Sequence, residues 1–325
     1  PANLIDGYTS NTDVYSSTDS YAAYAQATWH FNDDFRVTPG VRYTKEEKTG
    51  DFTQVAAGGL ATTDAALNTA KRGIARNQKY YAEFSDSSPT GQLNLAYDLN
   101  DDQLVYLNWA RGYKSGGINA AGIPTDAAGN PSLVSATVQP EKSTTVELGL
   151  KSQWLDRRLT TNFAVYDTKV TDYQANVVDA GPGALRGYLA NIEKVSVRGF
   201  EFDSRAQLTD SWSVYATYAY TDGQYDSFRN GPPPLEELAA GTAAFDLSGR
   251  ELPGVSKNAG SVGTEYSWGG TVSGVNGEWY SAADLSYRSD WNSDASVSKY
   301  LVVEASTLVN LRLGFRTDNG TDVSI

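Results

Sequence analysis

The stretch LGLKSQWLDRRLTTNFAVY at residues 148–166 alternates with a period of two on both sides of a charged break. Leu148, Leu150 and Trp154 share one parity, and Glu147, Lys151 and Gln153 fill the other. After residues 155–158 the pattern resumes with Leu159, Phe163 and Val165. A repeat of two belongs to extended strands with one apolar and one polar face. The break has room only to reverse the chain, so the segment reads as a β-hairpin whose apolar face must meet either a protein core or lipid.

The same plan recurs along the chain in about a dozen segments. Tyr21, Ala23, Ala25, Ala27, Trp29 and Phe31 share one face, opposite Ala22, Tyr24, Gln26, Thr28 and His30. Hairpins follow around NDD at 32–34, around residue 101 and around TDS at 209–211, then from Val262 to Tyr287 and from Leu308 onward. Gly, Asn and Asp at the breaks supply the backbone freedom that reversals need. Breaks near 33, 101, 156, 210 and 319 are short, with a somewhat longer one expected near 272. Those near 45–90, 114–140, 173–193, 223–258 and 289–304 are long and rich in Gly, Ser, Asn, Asp and Pro. In an antiparallel meander every second connection lies at the same end, so one end carries turns and the other loops. Outer-membrane barrels sort their connections this way, turns periplasmic and loops extracellular.

Composition removes other classes. With no cysteine among 325 residues, disulfides and thiolate metal sites are excluded, and the single histidine, His30, leaves no His-rich site. A net charge of -13 disfavours nucleic acid. No apolar run approaches the ~18 residues of a membrane helix, which leaves a lipid-facing barrel open because alternating strands keep mean hydropathy low.

Tryptophan placement favours lipid. Trp29, Trp154, Trp212, Trp268 and Trp279 all sit near short turns and on the apolar parity of their strands. Indoles concentrate at the headgroup level of a bilayer, so these five are expected to form a membrane-interface girdle. Tyr43, Tyr218, Tyr220 and Tyr287 are expected to form the opposite one. Glu147, Lys151, Arg36, Arg42, Asp284 and Arg288 take the other parity and suit a wet interior. The expected fold is therefore all-β, an antiparallel transmembrane β-barrel. With short turns periplasmic, Pro1 to Ser20 is expected in an extracellular loop, and the chain is expected to hold part of a barrel that lacks strands at both ends.

Three stretches resemble the β-barrel region of TonB-dependent outer-membrane receptors of the siderophore-receptor type: LVYLNWARGYKSGGIN at 104–119, PEKSTTVELGLKSQWLDRRLTTNFAVYDTKVTDYQ at 140–174, and NIEKVSVRGFEFDSRAQLTDSWSVYATYAYTDGQYDSF at 191–228. Residues 21–48 and 249–266 add weaker support. The resemblance implies a 22-stranded barrel around an N-terminal plug, of which this chain carries about 12 strands. It also implies uptake of a ferric siderophore or another scarce nutrient across the bacterial outer membrane, powered by the TonB complex through a box ahead of the plug. On this resemblance, the plug, the box, the early strands and the C-terminal strands are expected to lie outside the sequence. A passive porin and a soluble β-rich carbohydrate-binding protein are the alternatives. No nucleic acid, cofactor, metal or enzymatic activity is expected, since His30 has no Ser or Asp at a suggestive spacing.

Several residues are candidates for the ligand. Arg111, Tyr113 and Lys114 in RGYKSGG offer charge and stacking. They also suit a strand end at the headgroups, and that is the favoured reading. Tyr80, Tyr81, Tyr188, Tyr225, Phe228 and Trp291 are expected on loops, where they would either stack on a flat iron chelate or pack the loops together. GPPPLEEL at 231–238 reads as a stiff segment ending in a short helix. Glu46 with Glu47, and SDWNSD at 289–294, could hold a divalent cation, but no Ca²⁺-loop spacing is present and solvated charge is the simpler reading.

Overall fold

Break by break, the expected reversals occur in the computed structural model, which describes residues 3–126, 129–178, 187–240 and 244–325. In chain order the elements are β1 (Thr9–Gln26), β2 (Trp29–His30), β3 (Phe35–Ala57), α1 (Ala65–Ile74), β4 (Gln78–Asn100), β5 (Gln103–Lys114), β6 (Gly117–Ile118), β7 (Thr137–Val138) and β8 (Glu141–Trp154). There follow β9 (Leu159–Val178), β10 (Gly187–Thr209), β11 (Trp212–Ser227), β12 (Asn258–Val272), β13 (Val275–Arg288), β14 (Trp291–Asn292), β15 (Val302–Val303), β16 (Ser306–Thr317) and β17 (Asp322–Ser324). The long strands follow one another as an antiparallel meander from β1 to β17 in a 13-stranded sheet, with β2 paired to β3. Two small ribbons, β6–β7 and β14–β15, lie within long connections. No helix among the described residues is long and apolar enough to cross a membrane.

The turns explain themselves locally. Leu155, Asp156 and Arg157 hold φ of 57°, 57° and 66°, a tight reversal that three non-glycine residues tolerate at some cost. The connection after β12 is shorter than the sequence suggested. Ser273 and Gly274, with φ of 51° and 82°, close it in two residues, as a hairpin with both central residues left-handed does.

Strand length differs most from expectation. β3, β4 and β10 each run 23 residues, whereas about 9–11 cross a bilayer. Residues 9–20, expected in a loop, pair with β3 from Thr9↔Ala57 to Ser20↔Glu46. Much of 45–90 is likewise ladder, leaving 58–77 as the connection, with α1 inside it. The physical reason is that backbone pairing does not stop where lipid stops. In β1 from Thr9 to Ser20 polar side chains occupy both exposed parities, so the period-two signal fades while the hydrogen bonds continue. In the extensions of β3, β4 and β10 one face is instead buried under infolded connections.

Register settles the two faces. Trp29, Val37, Leu95, Leu107, Leu148, Val165, Phe200 and Tyr220 are successive cross-strand partners, a single apolar row over eight strands. Next to it run Phe35, Tyr97, Val105, Leu150, Phe163, Phe202 and Tyr218. Leu107, Leu148 and Phe163 remain 41%, 49% and 43% exposed. An apolar band this continuous exceeds what a water-facing surface sustains.

The opposite face is polar and carries a repeated joint. Tyr106, Tyr166, Tyr215 and Tyr280 lie directly across from Gly149, Gly199, Gly263 and Gly314. A Cβ on any of these glycines would fall within 2.8 Å of the tyrosine ring, so each ring lies flat over its neighbour strand. The hydroxyls then reach onward: Tyr106 donates to Glu147 at 2.7 Å, Tyr215 to Asp284 at 2.6 Å and Tyr280 to Asp322 at 2.9 Å, while Tyr166 meets the Thr221 hydroxyl at 3.1 Å. The joints brace the sheet on its polar side.

Candidate functional site at the long-loop end

Two connections fold back over the polar face. In the 115–140 connection, Ile118, Ile123 and Ala136 pack on Phe52, Tyr80 and Ala82 of β3 and β4. Buried amides fix this segment by imitating a strand partner. Gln78 Nε2 donates to the Ile123 carbonyl and its Oε1 accepts from the Ile123 amide, at 2.5 and 3.1 Å. Asn119 Nδ2 donates to the Leu189 carbonyl and its Oδ1 accepts from the Leu189 amide, at 2.8 and 2.9 Å. Lys48 Nζ adds bonds to Ser115 Oγ at 2.7 Å and the Gly116 carbonyl at 2.8 Å.

The second infold builds a larger core. Tyr225, Phe228, Leu247 and Leu252 pack with Val170, Val177, Ile192 and Val195 of β9 and β10. Its formation depends on a change of parity. Asp172 sits at φ 54°; below it Val170 faces this core, and above it Tyr173, Ala175 and Val177 face the same core from the other parity. A single left-handed residue in a strand re-aims every side chain beyond it. The 289–305 connection is latched on top: Glu236 accepts from Ser298 Oγ at 2.6 Å and from the Lys299 amide at 3.2 Å, and the Gly254 amide donates to the Asn292 carbonyl at 2.8 Å. These bonds, the Ser298 hydroxyl first, hold the Glu236 carboxyl below the usual carboxylate range. The short helix expected after GPPP is present as a 3-10 turn at Leu235–Ala240.

The aromatics expected on loops are mostly elsewhere. Tyr80 and Tyr81 lie in β4, Tyr188 in β10 and Tyr225 in β11. Tyr225 and Phe228 meet edge-on at 5.0 Å inside the core, with Tyr188 packed against it. Tyr80 stacks on Phe52 at 4.9 Å and donates to the Asn119 carbonyl at 2.7 Å. These four hold the infolded loops in place. Tyr81, adjacent in a strand, points to the other side, half exposed, and donates to Glu83 at 2.7 Å. Arg111 and Tyr113 continue the parity of Leu107 and Trp109, the apolar side. Lys114 takes the polar parity, 3.9 Å from Glu141. Trp291 stands in the β14–β15 ribbon with the Arg288 guanidinium 5.1 Å above its ring.

The acidic pairs bring no cation site together. Glu46 and Glu47 lie on opposite faces of β3, near Lys48 at 3.9 Å and Lys45 at 2.6 Å. Asp294 caps its own turn by accepting from the Ser296 amide at 2.9 Å. Among the described residues there is no cluster of three His, Asp or Glu side chains that could hold a metal. His30 pairs across from Arg36 on the polar face, next to the Arg36–Asp98 ion pair.

What the sequence reading missed is a groove of about 610 Å³ on the sheet, lined on its polar side by Glu201, Asp203, Thr217, Ser261, Ser286 and Arg288. These residues are non-adjacent in sequence and share only strand parity, so the usable signal was the alternation itself.

The five tryptophans lie by the short turns on the apolar parity. Trp268, Trp279, Phe315 and Val323 form one cross-strand row. Trp154 and Trp212 direct their indole N–H to Thr161 and Thr264 hydroxyls at 2.9 and 2.8 Å. Tyr43, Tyr218, Tyr220 and Tyr287 take the same parity toward the long-loop end.

The family model for TonB dependent receptor-like β-barrels matches residues 1–325. The catecholate siderophore receptor Fiu of Escherichia coli is 25% identical over 322 residues, covering 93% of this chain and 40% of the relative. The pesticin receptor of Yersinia enterocolitica is 28% identical over 199 residues, 61% of this chain and 25% of the relative. The ferric yersiniabactin uptake receptor FyuA from Yersinia pestis superposes with a TM-score of 0.72 at 18% identity, over 97% of this chain and 41% of that one. The chain thus spans between a quarter and two fifths of the length of these relatives.

Proposed function

The chain belongs to the TonB-dependent receptor β-barrel family, and from that premise we propose that it forms part of the wall and mouth of an outer-membrane receptor importing a ferric siderophore under TonB drive. One observation carries the reading. The family match spans a chain whose register separates an unbroken apolar row from a charged, tyrosine-braced face. That division is what a bilayer outside and a wet lumen inside require. The Trp29, Trp154, Trp212, Trp268 and Trp279 set is then the periplasmic girdle, and the long connections are extracellular. The names of these relatives, a catecholate siderophore receptor and a ferric yersiniabactin uptake receptor, support a ferric chelate as cargo.

At the mouth, the Arg288–Trp291 pair is the proposed ligand contact among the candidates. The guanidinium over the indole presents charge and a flat face together, suited to an anionic aromatic chelate. Tyr80, Tyr188, Tyr225 and Phe228 shape the loops that frame it. The test is uptake of radiolabelled ferric catecholate by a strain lacking the receptor gene, complemented with the full gene or with its Trp291→Ala variant. The proposal expects iron-restricted growth from the first and weakened uptake from the second. Equal uptake with and without the gene would refute the cargo.

A further inference from the structure

The apolar side carries cations where a headgroup would be. Above the row through Leu107, Leu148 and Val165 come Trp109, Val146 and Asp167, and above those Arg111, Thr144 and Lys169, on β5, β8 and β9. The next row is Tyr113, Lys142, Thr171 and Lys194. All of these share the parity of the apolar band. Neighbouring strands are about 4.8 Å apart, so Arg111, Lys142 and Lys169 crowd into one patch roughly two rungs beyond the hydrocarbon-facing rows.

Their pairing is unusual in so acidic a chain. Three carboxylates of this sector already have cationic partners: Asp167 pairs with Arg198 at 3.3 Å, Asp226 with Lys194 at 3.4 Å, and Asp222 with Lys257 at 3.9 Å. Arg111, Lys142 and Lys169 are exposed and make no ion pair among the described residues. Like charges on facing strands repel, so the patch is complementary to an anion that the protein does not supply. The outward rungs of β3 and β4 at the long-loop end hold Lys45, Glu47, Glu83 and Ser85 instead, a mixed surface without such an excess.

We propose that Arg111, Lys142 and Lys169 bind the phosphate groups of a phosphorylated glycolipid in the outer leaflet, with Trp109 and Tyr113 against its sugar and acyl shoulder. The inference rests on the membrane reading above and adds a lipid partner to it. Commitment to a lipid follows from position: the cations stand on the acyl-facing parity, where a lumenal or loop-bound ligand has no access. Two lysines and an arginine on adjacent strands present three cationic groups to a bisphosphorylated headgroup.

The experiment reconstitutes the full receptor into phosphatidylcholine vesicles, alone or containing bisphosphorylated lipid A or phosphatidylglycerol. Lipid retained on the extracted protein is then counted by native mass spectrometry. Wild type should retain lipid A preferentially, with retention falling in high salt. Each basic residue near an anionic lipid surface contributes roughly fivefold, about 1 kcal/mol. Arg111→Gln/Lys142→Gln/Lys169→Gln should therefore lose on the order of a hundredfold in preference. A charge-matched control, Arg72→Gln/Arg229→Gln/Lys299→Gln on the loops, should lose none. Equal retention of lipid A and phosphatidylcholine by wild type overturns the proposal, as does equal retention of phosphatidylglycerol or an unaltered triple variant. A bilayer-quenched label at Leu148, read on the same samples, separates the two failures. Lipid contact there without lipid A preference sinks the patch alone, and no contact sinks the membrane reading itself.

Discussion

Substituting Gly149 by alanine removes the space on which the Tyr106 ring lies. The new methyl would fall 2.3 Å from two ring carbons of Tyr106 and 2.4 Å from its hydroxyl, distances no real Cβ contact shows. Backbone on both sides is locked in the β5–β8 ladder, so the ring must swing into the lumen. It then gives up the 2.7 Å bond to Glu147 and its place beneath the Lys151 ammonium, 5.8 Å from the ring centre. A hydrogen bond to a charged group is worth about 1.5–3 kcal/mol and crowding a packed site costs about 1–3 kcal/mol. Tyr106 is only half-buried, so water recovers part of both, and about 2–3 kcal/mol of net destabilisation is expected. The assay is reversible urea unfolding of the receptor in lipid or detergent, followed by tryptophan fluorescence and heat-modified gel mobility. Gly269→Ala, whose methyl would enter open space, is the control and should shift the midpoint little. On a Tyr106→Ala background the Gly149→Ala penalty should shrink by more than about 1 kcal/mol, since the two residues couple only through contact. An equal response of Gly149→Ala and Gly269→Ala, or a penalty unchanged by Tyr106→Ala, would refute the joint.

Two further outcomes follow from the faces and the latch. Ala282 and Ala283 are adjacent in β13 and pair on opposite faces, Ala282 between Glu265 and Arg312, Ala283 between Thr264 and Leu311. Ala283→Arg should cost about 2–4 kcal/mol of bilayer insertion and Ala282→Arg much less, measured by folding into vesicles at graded urea. The Glu236 carboxyl is held below its ordinary range, so its latch on Ser298 and Lys299 is complete above the unfolded carboxylate pKa. It is lost as pH falls through the lowered folded value. Hydrogen exchange at residues 296–301 should therefore accelerate in acid in wild type, and Glu236→Gln should flatten that dependence.

Legibility of the sequence followed the solvent. Where one face met lipid and the other water, as in Leu148–Trp154 or Leu159–Val165, alternation located the strands and sorted turns from loops. Thr9 to Ser20 of β1 is exposed and largely polar on both parities, so it left no periodic trace although its ladder continues. The upper halves of β3 and β4 do alternate, but their inward residues Phe52, Tyr80 and Ala82 meet a connection far away in sequence. Non-local packing was invisible too. Tyr225 and Phe228 read as loop aromatics because their partners Val177, Ile192 and Leu247 lie far away in sequence. Asp172 hid the parity switch, since nothing in its identity announces a left-handed backbone. Within RGYKSGG, β5 ends at Lys114, and Arg111 and Tyr113 take the parity of Leu107.

The central claim is that parity divides lipid from lumen. The most direct measurement places a single environment-sensitive fluorophore in turn at Leu148, Phe163 and Val214, and at the facing positions Glu147, Asn162 and Ser213, in the receptor reconstituted with bromine-labelled acyl chains. Quenching at the first three with none at the second three is the expected result. Quenching that ignores parity, or that is absent from Leu148, Phe163 and Val214, would contradict the account.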